Sequence, residues 1–144
     1  MADYAKAASE LKARLDAKAK KKADLDNFFE ELKLSIAAEV KKANAELAGV
    51  GAPSVDFQDA SIGETTIELR CRSANCKISQ DRAVPSIAAV VQGESGEKSI
   101  TLVILLEETP LTAQRVSLAP AVEPKIGPPE IAAILVEELI AGAP

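Results

Sequence analysis

One feature limits what this chain can fold into more than any other: its first 48 residues carry an unbroken helical pattern. From Tyr4, the side chains Ala8, Leu11, Leu15, Leu25, Phe29, Leu32 and Ile36 lie on a line of alternating four- and three-residue steps, which then shifts register to Val40, Ala43 and Leu47. A helix that long outruns any core that 144 residues can build. Part of its stripe is therefore expected to pack on a second copy or on a partner, with Leu11, Leu15, Leu25, Phe29, Leu32 and Ile36 as the interaction seam. Two details complicate the line. Asn27 followed by Glu30 would suit a helix start, and Lys18 and Lys22 stand where a coiled-coil seam wants apolar residues. The apolar phase passes through both, so one continuous helix is expected.

The pattern ends at Gly49-Val50-Gly51-Ala52-Pro53, a helix stop of two glycines and a proline. From there to residue 118 the period changes to about two. Val55 and Phe57 begin a short strand, and Ile67, Leu69 and Cys71 alternate with Glu68, Arg70 and Arg72. A weaker strand spans 76–78. Residues 86–92 and 98–108 form two more around the turn Gly93-Glu94-Ser95-Gly96, and Val116-Ser117-Leu118 closes the sheet. The strands at 86–92 and 98–108 are apolar on both faces, as central strands are when both sides of a sheet are covered. After a Pro- and Gly-rich connector, Pro128-Pro129-Glu130 opens a last helix, apolar nearly all round and so expected to be buried on more than one side.

Composition narrows the function classes. A formal charge of −5 disfavours general affinity for nucleic acid or anionic membrane, and the acidity is uneven. Residues 1–48 carry ten Lys/Arg against nine Asp/Glu, net +1, whereas residues 49–144 carry seven against thirteen, net −6. No apolar run is long enough to span a membrane, and the N-terminus lacks the blocks of a signal peptide, so a cytoplasmic protein is expected.

Candidate chemical sites are sparse. Cys71 and Cys76 form a C-x4-C pair beside Arg70, Arg72 and Lys77, a setting that could lower a thiol pKa; the inward alternation of Cys71 favours plain core packing. With no histidine and only two thiols, neither a metal nor another cofactor is expected. Residues 93–99 only superficially resemble a phosphate loop, since a strand follows and two glutamates would repel phosphate. The carboxylates Asp56, Asp59, Glu107, Glu108, Glu137 and Glu138 sit in pairs, but adjacent residues point to different faces and do not share a site. The lysine run at 18–22 suits a solvated helix face.

These readings converge on an α+β fold: a long N-terminal helix over 1–48, an antiparallel β-meander of four to six strands, and a C-terminal helix packed on the sheet, with 54–144 belonging to the same single domain. The expected function is a non-enzymatic interaction or scaffold module that self-associates through its N-terminal helix as a homodimer or binds another protein. The alternative is a small-molecule or lipid-binding module with an apolar pocket between sheet and helix.

Overall fold

The structure, a computed structural model, describes residues 3–59, 66–81, 85–106, 111–116 and 123–143. The N-terminal helix α1 runs without interruption over Tyr4–Gly49, 46 residues and about 69 Å at 1.5 Å per residue. Asp3 caps its start, the side chain accepting from the Lys6 N–H at 3.1 Å. At the other end Gly51 adopts φ 70°, and its N–H bonds the Ala48 carbonyl while that of Ala52 reaches back to Leu47 at 2.8 Å. That pair of bonds is a Schellman stop, and it needs a residue without a Cβ at Gly51. Asn27 and Glu30 lie inside the helix and start nothing.

Seven strands follow in simple meander order, each antiparallel to the one before: β1 Asp56–Asp59, β2 Thr66–Cys71, β3 Ala74–Asp81, β4 Ser86–Gly93, β5 Gly96–Leu105, β6 Thr112–Arg115 and β7 Lys125–Ile126. Seven exceeds the four to six expected. The extra strand is β7, two residues in the Pro- and Gly-rich connector that pair with Ala113 and Gln114. Backbone pairing recruits it together with Ile126, which packs against the core, and two residues are too few to leave an alternating pattern. The sixth strand also sits earlier than the sequence suggests, because its pairing runs Leu102 to Arg115 through Leu105 to Thr112. Val116 follows it, while Ser117 and Leu118 lie outside the described residues. The strand at 76–78 is full length, closed onto β2 by a two-residue turn in which Arg72 takes φ 56°.

The C-terminal helix α2 covers Pro128–Gly142, with both prolines in its first turn and Glu130 Oε2 accepting from the Gly127 N–H at 3.1 Å. It packs on β2, β3 and β4 and also against α1. Those two contacts account for its nearly apolar circumference: Ile131, Ala132, Leu135, Val136 and Leu139 are buried, and Ile134 and Ile140 half-buried. The core joins these residues to Leu25, Phe28, Phe29, Leu32, Ile36 and Val40 of α1 and to one face of the sheet, from Ile67 and Leu69 through Ile78 and Ile87 to Leu102 and Ile104.

Polar clamps from Asn44 and Gln80 tie α1 to the rest. Asn44 donates to the Val55 carbonyl at 3.0 Å and accepts from the Val55 N–H at 2.7 Å, imitating a strand partner for the segment that leads into β1. Gln80, buried on β3, donates through Nε2 to the Leu25 carbonyl at 3.1 Å. Leu25 is also the first buried residue of α1.

The sheet is covered on one side by the helices of this chain. Its other face carries Ala88 and Thr101, exposed, with Val103 39% exposed and Val90 and Leu105 half-buried. Of the two covers expected for that face, a helix of this chain or a second subunit, the first is not found among the described residues. Val and Leu on the outer face of β4 and β5 have the shape a pleated surface accommodates, and that preference imitates burial in a sequence pattern.

Candidate interaction surface

Residues 4–23 of α1 extend past the core as a helical arm of about 30 Å in which every side chain is exposed. Tyr4 is 80% exposed, Leu11 50% and Leu15 55%. Of the six seam residues expected from the sequence, Leu25, Phe29, Leu32 and Ile36 are buried within this chain's own core, and Leu11 and Leu15 lie on the arm. Phe28, off the predicted line, joins the core as well. The adjacent aromatic pair Phe28-Phe29 was its only sequence signal.

The arm is electrostatically unlike the remainder. It holds seven Lys/Arg and two Asp/Glu, net +5, which leaves −10 for the rest of a chain whose formal charge is −5. None of its basic side chains takes part in an ion pair among the described residues. Arg14, Lys18 and Lys22 recur every four residues and so form a ladder along one side. At 100° per residue that ladder falls on the same half of the helix as Leu11 and Leu15.

A second feature lies where the C-terminal half of α1 runs beside α2. An open groove of about 470 Å³ lies between them, lined by residues of α1 and α2. Its apolar lining includes Ala43, Ala133, Val136 and Ile140, and the groove exists because alanines from both helices leave the space a longer side chain would fill. Glu46 and Glu137, both exposed, stand at its rim, together with Glu39, whose Oε1 pairs with Lys42 Nζ at 3.3 Å. A smaller cleft of about 150 Å³ opens at the root of the arm, beside Asp24, Phe28 and Glu31.

The remaining candidates separate in space. Glu137 lines the groove, whereas Glu138 faces the β4–β5 hairpin and accepts from Lys98 Nζ at 2.8 Å. Asp56 is on β1. The Asp59 side chain, Glu107 and Glu108 lie outside the described residues. Cys71 and Cys76 are both buried free thiols on the inner face, with Cys76 opposite Leu69 and Cys71 opposite Ala74. Burial pushes the Cys76 thiol up to about 12. Burial also raises Cys71 above its ordinary 9.0; the Arg72 charge opposes that rise and is the weaker influence, and Asp56 adds to it. Neither thiol is activated. Gly93 and Gly96 close a two-residue hairpin between β4 and β5, with Gly96 at φ 124°, and the Glu94 N–H bonds the Gly142 carbonyl at the end of α2 at 3.0 Å. Among the described residues no helix is long and apolar enough to cross a membrane.

No protein-family model matches this sequence, and no curated protein or solved structure is significantly similar to it.

Proposed function

We propose that this chain is a non-enzymatic interaction or scaffold protein of the cytoplasm that self-associates through its N-terminal helix. One observation carries the reading: the first 20 residues of a 46-residue helix stand clear of the core, with Leu11 and Leu15 half exposed and outside the core cluster of the described residues. In proteins most helical stability comes from packing of an apolar face, and the arm has no such packing among the described residues. Contact with a second surface both stabilises the arm and removes its leucines from solvent. Light scattering coupled to size exclusion tests this. The full chain is expected at about twice 15.1 kDa at micromolar concentration, and the double variant Leu11→Asp/Leu15→Asp at the monomer mass, because a carboxylate in an apolar contact must be desolvated without a partner. A wild-type chain that stays monomeric refutes the proposal.

A second reading, a binding site for a small apolar ligand, draws support from the groove, whose 470 Å³ falls in the ordinary range of roughly 300–1,000 Å³ for ligand pockets. It would place the ligand between the two helices. Between sheet and helix, Ile67, Leu69, Ile78 and Ile87 are each 0% exposed, and the cleft where α2 meets the β4–β5 hairpin, about 190 Å³, falls below that range. Native mass spectrometry of freshly purified protein separates the two readings, since it reports subunit number and co-purifying ligand together.

A further inference from the structure

The arm is basic, the groove is lined by Glu39, Glu46 and Glu137 beside one cation, Lys42, which pairs with Glu39, and one helix holds arm and groove apart. We propose that the arm of one copy seats in the groove between α1 and α2 of a second copy, with Leu11 and Leu15 entering the alanine-lined floor and Arg14 and Lys18 meeting Glu46 and Glu137. This rests on the self-association reading and names the surface that receives the arm.

Three observations select this occupant. The arm cannot reach the groove of its own chain, because Leu15 and Lys42 are 27 residues apart on one unbroken helix, about 40 Å. Pairing of two arms side by side would bring two segments of charge +5 together and set the Arg14, Lys18 and Lys22 ladders near one another. The rest of the chain, at −10, attracts the arm instead. Finally, the groove presents what that side of the arm lacks. Its floor is built from small and apolar side chains that leave room for leucine, and its rim carries the exposed carboxylates of Glu46 and Glu137 for the flanking cations, while its one cation, Lys42, is paired with Glu39. From Ala133 to Ala141 it runs about 12 Å along α2, enough for the two helical turns that contain Leu11, Arg14, Leu15 and Lys18.

Charge reversal in the full-length chain, read by sedimentation equilibrium, tests the pairing. All four positions are exposed, so thermal unfolding of the variants, read at a dilution where wild type is itself monomeric, should match wild type and show that the fold is kept. An arm variant, Arg14→Glu/Lys18→Glu, and a groove variant, Glu46→Lys/Glu137→Lys, are each expected to weaken dimerisation by at least about tenfold. Mixing the two should restore it, since in the mixed dimer both arm–groove contacts are again of opposite sign. Wild-type association should also weaken as salt rises. If the groove variant dimerises like wild type while the arm variant does not, the groove is not the receptor, though self-association through the arm stands. If both variants are monomeric and mixing restores nothing, the proposed charge pairing is wrong. A monomeric wild type overturns this proposal and the function reading together.

Discussion

Replacing Asn44 by Ala should destabilise the fold far more than its position on a half-exposed helix face suggests. The side chain makes two hydrogen bonds to the backbone of Val55, at 3.0 Å and 2.7 Å, and Val55 is 3% exposed. Each bond contributes about 1 kcal/mol net, and a buried backbone group left without a partner costs about 1–3 kcal/mol. Ala therefore costs about 2–4 kcal/mol. With an unfolding entropy of about 2.1 cal/mol/K per residue, the loss corresponds to a fall in Tm of about 7–13 °C for 144 residues. Differential scanning calorimetry at neutral pH reads it, and urea titration should give a lower midpoint with an unchanged slope. Asn44→Asp sharpens the test. One carboxylate oxygen could still accept from the Val55 N–H, but the other would face the Val55 carbonyl oxygen, so the introduced group is stabilised by protonation. Its pKa in the folded state rises above the unfolded value of about 3.9. The recovered stability is then present in full below that value and lost as pH rises through the folded pKa. An Ala variant within about 0.5 kcal/mol of wild type would refute the view that this clamp holds the entry to β1.

Other outcomes follow from the same geometry. Ile104→Ala, at a site 3% exposed, should cost about 2–5 kcal/mol, whereas Val103→Ala, 39% exposed on the open face, should cost less than about 1 kcal/mol under conditions where the chain is monomeric; equal losses in chemical denaturation would mean the outer face is covered. A Cβ at Gly93 would lie 2.5 Å from the Gly142 carbonyl oxygen and 2.9 Å from its Cα, so Gly93→Ala should cost about 1–3 kcal/mol. Gly142→Ala meets nothing nearer than 3.5 Å and should be close to neutral, so parity in Tm between these two alanines would contradict the described contact. Both thiols should resist labelling in the native state and titrate as two after unfolding. Because burial raises both pKa values, the thiols' contribution to stability is complete below the ordinary 9.0 and declines above it, for Cys76 as pH climbs toward about 12; stability that rose with pH across that window would contradict it.

How much of this was legible in the sequence varies with the physical cause. The helix stop at Gly51 and the hairpin turn at Gly96 were legible, because positive φ favours glycine and glycine is visible. The proline start of α2 was visible for a similar reason, since Pro128 supplies a fixed φ and needs no donor. β2 was equally plain, its inner and outer residues differing in polarity at every step. β7 was not, because two residues held by backbone bonds leave no periodicity. The point where α1 leaves the core was hidden as well. Leu11 and Leu15 follow the same four-and-three spacing as Leu32 and Ile36, and only the extent of the sheet decides which of them has something to pack on. The groove was invisible for the opposite reason: it is made by what Ala43 and Ala133 lack, and an alanine announces itself as helix former before it announces a gap.

The continuity of α1 has one more consequence, which concerns phase. The azimuth at which Leu11 and Leu15 point is keyed to the body through every residue between them and Leu25, since no hinge interrupts the helix. Inserting one alanine after Ala23 would turn the whole arm by about 100° about its axis while moving it only about 1.5 Å. Inserting seven would bring it back to within about 20° of its original facing, some 10 Å farther out. The chain length between arm and core thus works as an angular setting, and a surface that receives the arm should respond to insertions periodically, not in proportion to their number.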